Sequence, residues 1–276
     1  MRGQCMAGGA AIARSGSEDT LAQGSFVRAL RAEALKSRHG APVRLAIVLA
    51  LPFPLLAAFV ALSVPQFGLS YSPWNYWYAL LMPVSITLIA ATVANADARL
   101  GNHTLLSSGV PLHLAWGAKV AWCLALLLLS NLVVFAVYAV MSLVVPQGAA
   151  SMSAMLAVAL ALTVMGSWMI PATHFLTMRV GMLAGVFVPL AVQLALSLGW
   201  SVVPFWPACP PAATIVLPTA FLPVLPSGEP ASPGMALVES ISQGPDVALA
   251  LIVAAVLTAA LTAAGAMWLD RSEELR

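Results

Sequence analysis

Charge is what this sequence has least of. Asp, Glu, Lys and Arg together make up 8% of its 276 residues, and lysine stands at only two positions, Lys36 and Lys119. A water-soluble domain of this length carries about 25% charged residues to cover its surface, so a soluble globular protein is excluded. With 61% hydrophobic residues and a mean hydropathy of +0.94, the composition is that of a polytopic membrane protein. Cysteine is scarce as well. Cys5, Cys123 and Cys209 fall in different compartments on the topology derived below, so neither a disulfide framework nor a thiolate metal site is expected.

Several catalytic devices are missing too. There is no GxxxxGK[ST] phosphate cradle, no HExxH and no GxSxG, so the chain is expected to be no enzyme and to hold no ATP by itself. No two of His39, His103, His113 and His174 have ligand spacing, which leaves them structural roles. No cofactor, metal or nucleic-acid partner is expected.

What is abundant is long apolar runs. Windows of about 20 such residues can cross the hydrocarbon core as helices, and six occur, at roughly 45–64, 74–94, 120–145, 154–176, 180–200 and 247–269. None contains Asp, Glu, Lys or Arg. With six spans and an inner N-terminus, all 12 cationic residues fall on the cytoplasmic side. The loops 65–73, 146–153 and 201–246 then hold none, as the positive-inside rule requires. The expected fold is therefore all-α, with both termini cytoplasmic in a bacterial inner membrane. Residues 1–20, rich in Gly, Ala and Ser, read as a disordered tail, and 21–276 as a single transmembrane domain.

Details within the spans carry further expectations. Trp74, Tyr76, Trp77 and Tyr78 at the outer end of the second span read as an interfacial aromatic belt. Gly181 and Gly185 form a GxxxG pair on which another helix packs closely. Asn131 and Gln193, neutral polar residues in apolar runs, read as hydrogen-bonding cement between helices. No carboxylate, lysine or arginine lies in any window, and His174 falls near a cytoplasmic end, so a proton- or sodium-coupled carrier lacks its usual machinery.

Two segments depart from the pattern. Residues 201–226, "SVVPFWPACPPAATIVLPTAFLPVLP", are apolar but carry seven prolines, which forbids a continuous helix. They read either as a broken re-entrant hairpin on the outer side, tolerated where protein surrounds it, or as a proline-rich loop lying on the bundle. Before the first span, "SFVRALRAEALKSRHG" places Phe26, Val27, Leu30 and Ala34 on one helical face, with Arg28, Arg31, Lys36 and Arg38 mainly elsewhere. Such a helix lies on the inner leaflet in contact with membrane lipids. The polar stretch "NADARLGNHTLLSSGVPLHLAWGAK" at 95–119 then joins two spans on the cytoplasmic side, where a soluble motor has access.

These residues resemble the ABC-2 type transporter permeases, and among them the lantibiotic immunity permeases. The resemblance rests on "FVRALRAEALKSRHG" with Glu33 and Lys36 before the first span, on "WNYWYALLMP" opening the second, and on Asp97, Pro111 and Lys119 in the stretch after it. Asp97 stands where that family usually has Glu. The resemblance implies a permease subunit that pairs with itself or a sister permease and with cytoplasmic ABC ATPase subunits. Asp97, Arg99, Leu100, His103, Leu105 and Leu106 would then dock the ATPase as a coupling helix. Phe26, Arg28, Leu30, Arg31, Glu33 and Lys36 would belong to an elbow helix. The cargo implied is an amphipathic, lantibiotic-like peptide or a lipid-like molecule exported from the membrane. The competing reading is a non-transporting membrane scaffold or sensor subunit, in which the cytoplasmic stretch is only a connector.

Overall fold

The computed structural model describes residues 26–38, 40–98, 111–232, 234–242 and 245–274. Those residues are helical throughout, apart from turns and one isolated bridge between Val224 and Pro230. A polar helix α1 (26–37) precedes α2 (Ala41–Val48) and α3 (Pro52–Ser63). Next come α4 (Ser72–Tyr76), a π turn at Trp77–Leu81, and α5 (Met82–Ala98). They are followed by α6 (Leu112–Val144), α7 (Met152–Gly166), α8 (Met169–Arg179) and α9 (Met182–Leu198). The chain closes with α10 (Pro210–Val216), α11 (Ala236–Ser242) and α12 (Asp246–Glu274).

Prolines set many of these boundaries. Pro42 and Pro52 sit in the first turns of α2 and α3, where an amide hydrogen has no helical partner to lose. The break between them at 49–51 divides the first apolar run into two helices. The π turn ends just before Pro83, whose ring would crowd the carbonyl four residues back. One extra residue in the turn is a common way of absorbing that conflict.

Five helical stretches are long and apolar enough to cross a membrane: Ala41–Ser63, Ser72–Ala96, Leu112–Val144, Met152–Arg179 and Asp246–Arg271. These answer to five of the six expected windows. The fifth window, 180–200, contains α9, an apolar helix of only 17 residues with Pro189 inside it. The third helix also starts earlier than expected, at Leu112 rather than near 120. Ala115 and Trp116 in its first turns are buried, and that packing extends the helix past Lys119 to Pro111.

The bundle is built around α5, which packs against α2, α6, α8 and α9, while α12 lies along α6, α7 and α8. The apolar faces left uncovered, such as Leu55, Leu56 and Phe59 on α3 or Ile252 and Val256 on α12, suit lipid as solvent.

The aromatic belt is a correction. Trp74, Trp77 and Tyr78 are fully buried, and only Tyr76 is exposed. Trp74 and Tyr71 both pack on Tyr138, with ring centroids 4.6 and 5.3 Å apart. These rings fill the interior between the start of the second apolar stretch and the end of α6, where they pack on one another.

The expected GxxxG surface is corrected by half. Gly185 is buried, and a β-carbon on it would collide with Thr177 of α8. Gly181 lies outside the helix, at φ 126° with open space around it. It makes the tight reversal from α8 into α9, a conformation L side chains avoid.

Candidate functional site

Among the described residues, the lysines and arginines gather at one end of the bundle, whereas Glu229, Glu239 and Asp246 lie toward the other. Glu33 Oε1 on α1 accepts hydrogen bonds from Lys119 Nζ on α6 at 2.9 Å and from Lys36 Nζ at 3.0 Å. The Glu33 and Lys119 side chains are only 8% and 3% exposed. Nearby on the same face, His113 at the start of α6 lies 3.7 Å from Asp270 near the end of α12, and Arg179 stacks over the Trp268 ring. Both ends of the 99–110 stretch, the last turn of α5 and the first turn of α6, emerge at this end.

Helix α1 meets the bundle through Glu33 and Ser37, both buried, while Val27 and Leu35 are exposed. Phe26 reaches Gly117 on α6, where a β-carbon would lie 3.6 Å from its ring. The contact face therefore combines that carboxylate with Phe26, Leu30 and Ala34 of the expected stripe, which are partly buried, while Val27 of the stripe points away. A cavity of about 300 Å³ lies between α1, the end of α5 and the start of α9.

Of the residues implied for ATPase docking, Arg99, Leu100, His103, Leu105 and Leu106 lie outside the described residues. Asp97 is in the last turn of α5, and its side chain lies outside the description as well.

Midway along the bundle, Asn131 of α6 joins three helices. Its Oδ1 accepts from Trp77 Nε1 at 3.1 Å and its Nδ2 donates to Thr163 Oγ1 on α7 at 3.0 Å. Gln193 of α9 donates to Ser197 Oγ at 2.8 Å and, at the limit of range, to the Pro211 carbonyl at 3.4 Å. Asn131 thus bonds across helices, whereas the firm bond to the proline-rich segment comes from Ser197, whose hydroxyl donates to the Pro211 carbonyl at 2.8 Å. Among the described residues no cluster of His, Cys, Asp or Glu has the arrangement of a metal site.

At the opposite end, the proline-rich segment is mostly exposed over 201–205 and enters the bundle further on. Residues 210–219 are buried throughout, with α10 packed among α7, α9 and α12. Asn75 pins the turn that follows, donating to the carbonyls of Leu225 and Pro226 at 3.2 and 3.4 Å. At the same end, Tyr71 accepts from the Ala150 amide at 2.7 Å and donates to Met155 Sδ at 3.5 Å. Burial raises its pKa above the ordinary phenol value, so the hydroxyl keeps the proton it donates.

Sequence reasoning missed Ser37 and Trp116, and treated Glu33 and Lys119 as separate markers. No local pattern signals their pairing, because 86 residues separate them. Compared with protein families, with curated proteins and with solved structures, the chain matches none.

Proposed function

We propose that the chain is the membrane-spanning permease subunit of an ABC-2 type exporter. It sits in a bacterial inner membrane with both termini cytoplasmic and crosses six times. The energy comes from separate cytoplasmic ABC ATPase subunits, and the permease pairs with a second copy or a sister permease. The cargo is an amphipathic, lantibiotic-like peptide or a lipid-like molecule.

The observation that carries this reading is the buried pair of Glu33 and Lys119. A push delivered at residues 97–110 acts directly on α5 and α6, which flank the segment. Through Lys119 it also reaches α1, so one docked motor moves three elements together. The elbow role of α1 follows from the same contact. Burial of residues 210–219 supports a re-entrant hairpin, since irregular backbone at membrane depth requires surrounding protein. Helix α9, with its 17 residues, reaches about 26 Å at 1.5 Å per residue. That serves as the fifth crossing with slight local thinning of the bilayer.

The test is purification from the native membrane in mild detergent. A P-loop ATPase is expected to copurify in stoichiometric amount, and the reconstituted complex to expel an amphipathic peptide only with ATP. A chain that purifies alone and supports no ATP-dependent efflux sinks the exporter reading in favour of a scaffold.

A further inference from the structure

We propose that the cavity between α1, α5 and α9 is a phospholipid headgroup site that grips the phosphodiester, with the acyl chains lying along the exposed face of α9. The site does not depend on whether the chain exports anything.

The cavity measures about 300 Å³ and is lined by Glu33, Lys36 and Ser37 of α1, Thr92 and Asn95 of α5, and Met182 of α9. Ligand cavities begin at about that size, so it admits a headgroup while the rest of an amphiphile stays outside. Its polar groups include donors beside the Glu33 carboxylate, whose Oε1 is engaged by Lys36 and Lys119. Ser37 is only 5% exposed, and its hydroxyl makes no hydrogen bond to any described residue. Its oxygen is not among the sealed polar atoms that lack a partner, so it opens to the cavity, where a ligand oxygen can accept from it. Asn95 Nδ2 has only the Met182 sulfur, at 3.5 Å, a weak acceptor.

Helix α9 also begins here, and no side chain caps it. The first amide groups of this 17-residue helix therefore remain for a ligand or solvent, at the positive end of its dipole. Lys36, held by Glu33 at 3.0 Å, adds a charged donor at the lining. A hydroxyl, a carboxamide, helix amides and an ammonium match the non-bridging oxygens of a phosphodiester, which are acceptors only.

A membrane lipid is chosen over a soluble phosphoester because of what adjoins the cavity. One residue beyond Met182, α9 exposes Leu183, Phe187, Val188, Val192 and Leu196. Leu183 and Phe187, four residues apart, lie together beside the cavity, and Val188, Val192 and Leu196, again at intervals of four, continue on the adjoining face. An apolar stripe continuous with a donor-lined cavity suits a molecule with a phosphate at one end and hydrocarbon behind it.

The experiment reconstitutes the full chain into nanodiscs of phosphatidylethanolamine, phosphatidylglycerol or phosphatidylcholine, re-extracts it in mild detergent, and counts bound lipid by native mass spectrometry. One phospholipid per chain is expected to survive washing. Ser37→Leu and Asn95→Leu, which fill the cavity, are each expected to lower its retention at least tenfold. Val256→Ala, on the exposed face of α12, should leave retention unchanged. Thermal unfolding of each variant verifies folding, and Asn95→Leu decides if Ser37→Leu does not fold. Retention of any of the three headgroups supports the site, and the preferred one names it. Wild-type protein that retains no lipid, or folded variants that retain as much as wild type, overturn it. Displacement by millimolar sn-glycerol 3-phosphate would identify a soluble phosphoester as the ligand and overturn the lipid assignment.

Discussion

The indole of Trp116 on α6 occupies the space that a side chain at Gly265 on α12 would need. A β-carbon there would lie 2.6 Å from Cε2 and closer still to Cζ2, while Trp116 Nε1 donates to the Thr262 carbonyl at 3.0 Å. Gly265→Val should therefore destabilise the protein, since overpacking costs about 1–3 kcal/mol. A lowered unfolding midpoint in detergent is the expected reading. An unchanged midpoint would mean that α6 and α12 do not meet at this point.

Removing one partner of the Glu33–Lys119 pair should cost on the order of 3 kcal/mol or more, because the remaining charge stays buried without that counter-ion. Glu33→Ala and Lys119→Met are each expected to destabilise, and the double variant to lose clearly less than the sum. A double-mutant cycle measures the coupling directly. Strict additivity would remove the pair from any account of how α1 is held.

Asn131→Leu deletes the bonds to Trp77 and Thr163 at once and leaves the Trp77 indole nitrogen buried without an acceptor. Interhelical hydrogen bonds of this kind are worth about 0.6 kcal/mol on average and up to about 1.7. A loss of roughly 1–3 kcal/mol is expected for the two together on that scale. Chemical unfolding in mixed micelles would reveal it, and a neutral result would count against the three-helix junction.

Reporter fusions at Glu229 and Arg276 should report opposite sides of the membrane. The reason is that residues 201–246 hold no Lys or Arg, while Arg271 closes α12 at the end where Lys119 and Arg179 lie. Two reporters on the same side would refute the six-crossing topology.

On the exporter reading proposed above, replacing Leu105 and Leu106 together with Asp should release the partner ATPase without unfolding the chain, as the change lies between the apolar stretches. Loss of one hot-spot contact commonly costs about 2 kcal/mol or more, which weakens binding more than tenfold. Undiminished copurification with persistent efflux would make the stretch a connector.

The broad class was legible in composition because lipid as solvent imposes a simple rule: long apolar runs become helices, and charges are left at their ends. That rule located the five membrane-length helices, and it singled out Asn131, whose amide bonds to Trp77 and Thr163, since a lone amide in an apolar run has few other uses. It failed for Trp74, Trp77 and Tyr78, because a belt and a buried aromatic cluster have the same local composition. Which rings face inward depends on α6 presenting Tyr138 to them.

Sequence alone thus determined that the chain is helical, membrane-embedded and free of fixed charge along its apolar runs, since these follow from residue chemistry summed over windows. Tertiary structure alone decided that Glu33 meets Lys119, that Ser37 is left facing a cavity, that Gly185 packs while Gly181 turns, and that residues 210–219 lie inside the bundle. Each of these is a relation between segments far apart in the chain. Such relations are set by how helices pack, and packing in an apolar solvent is governed by shape and hydrogen-bond satisfaction, which no single stretch of sequence records.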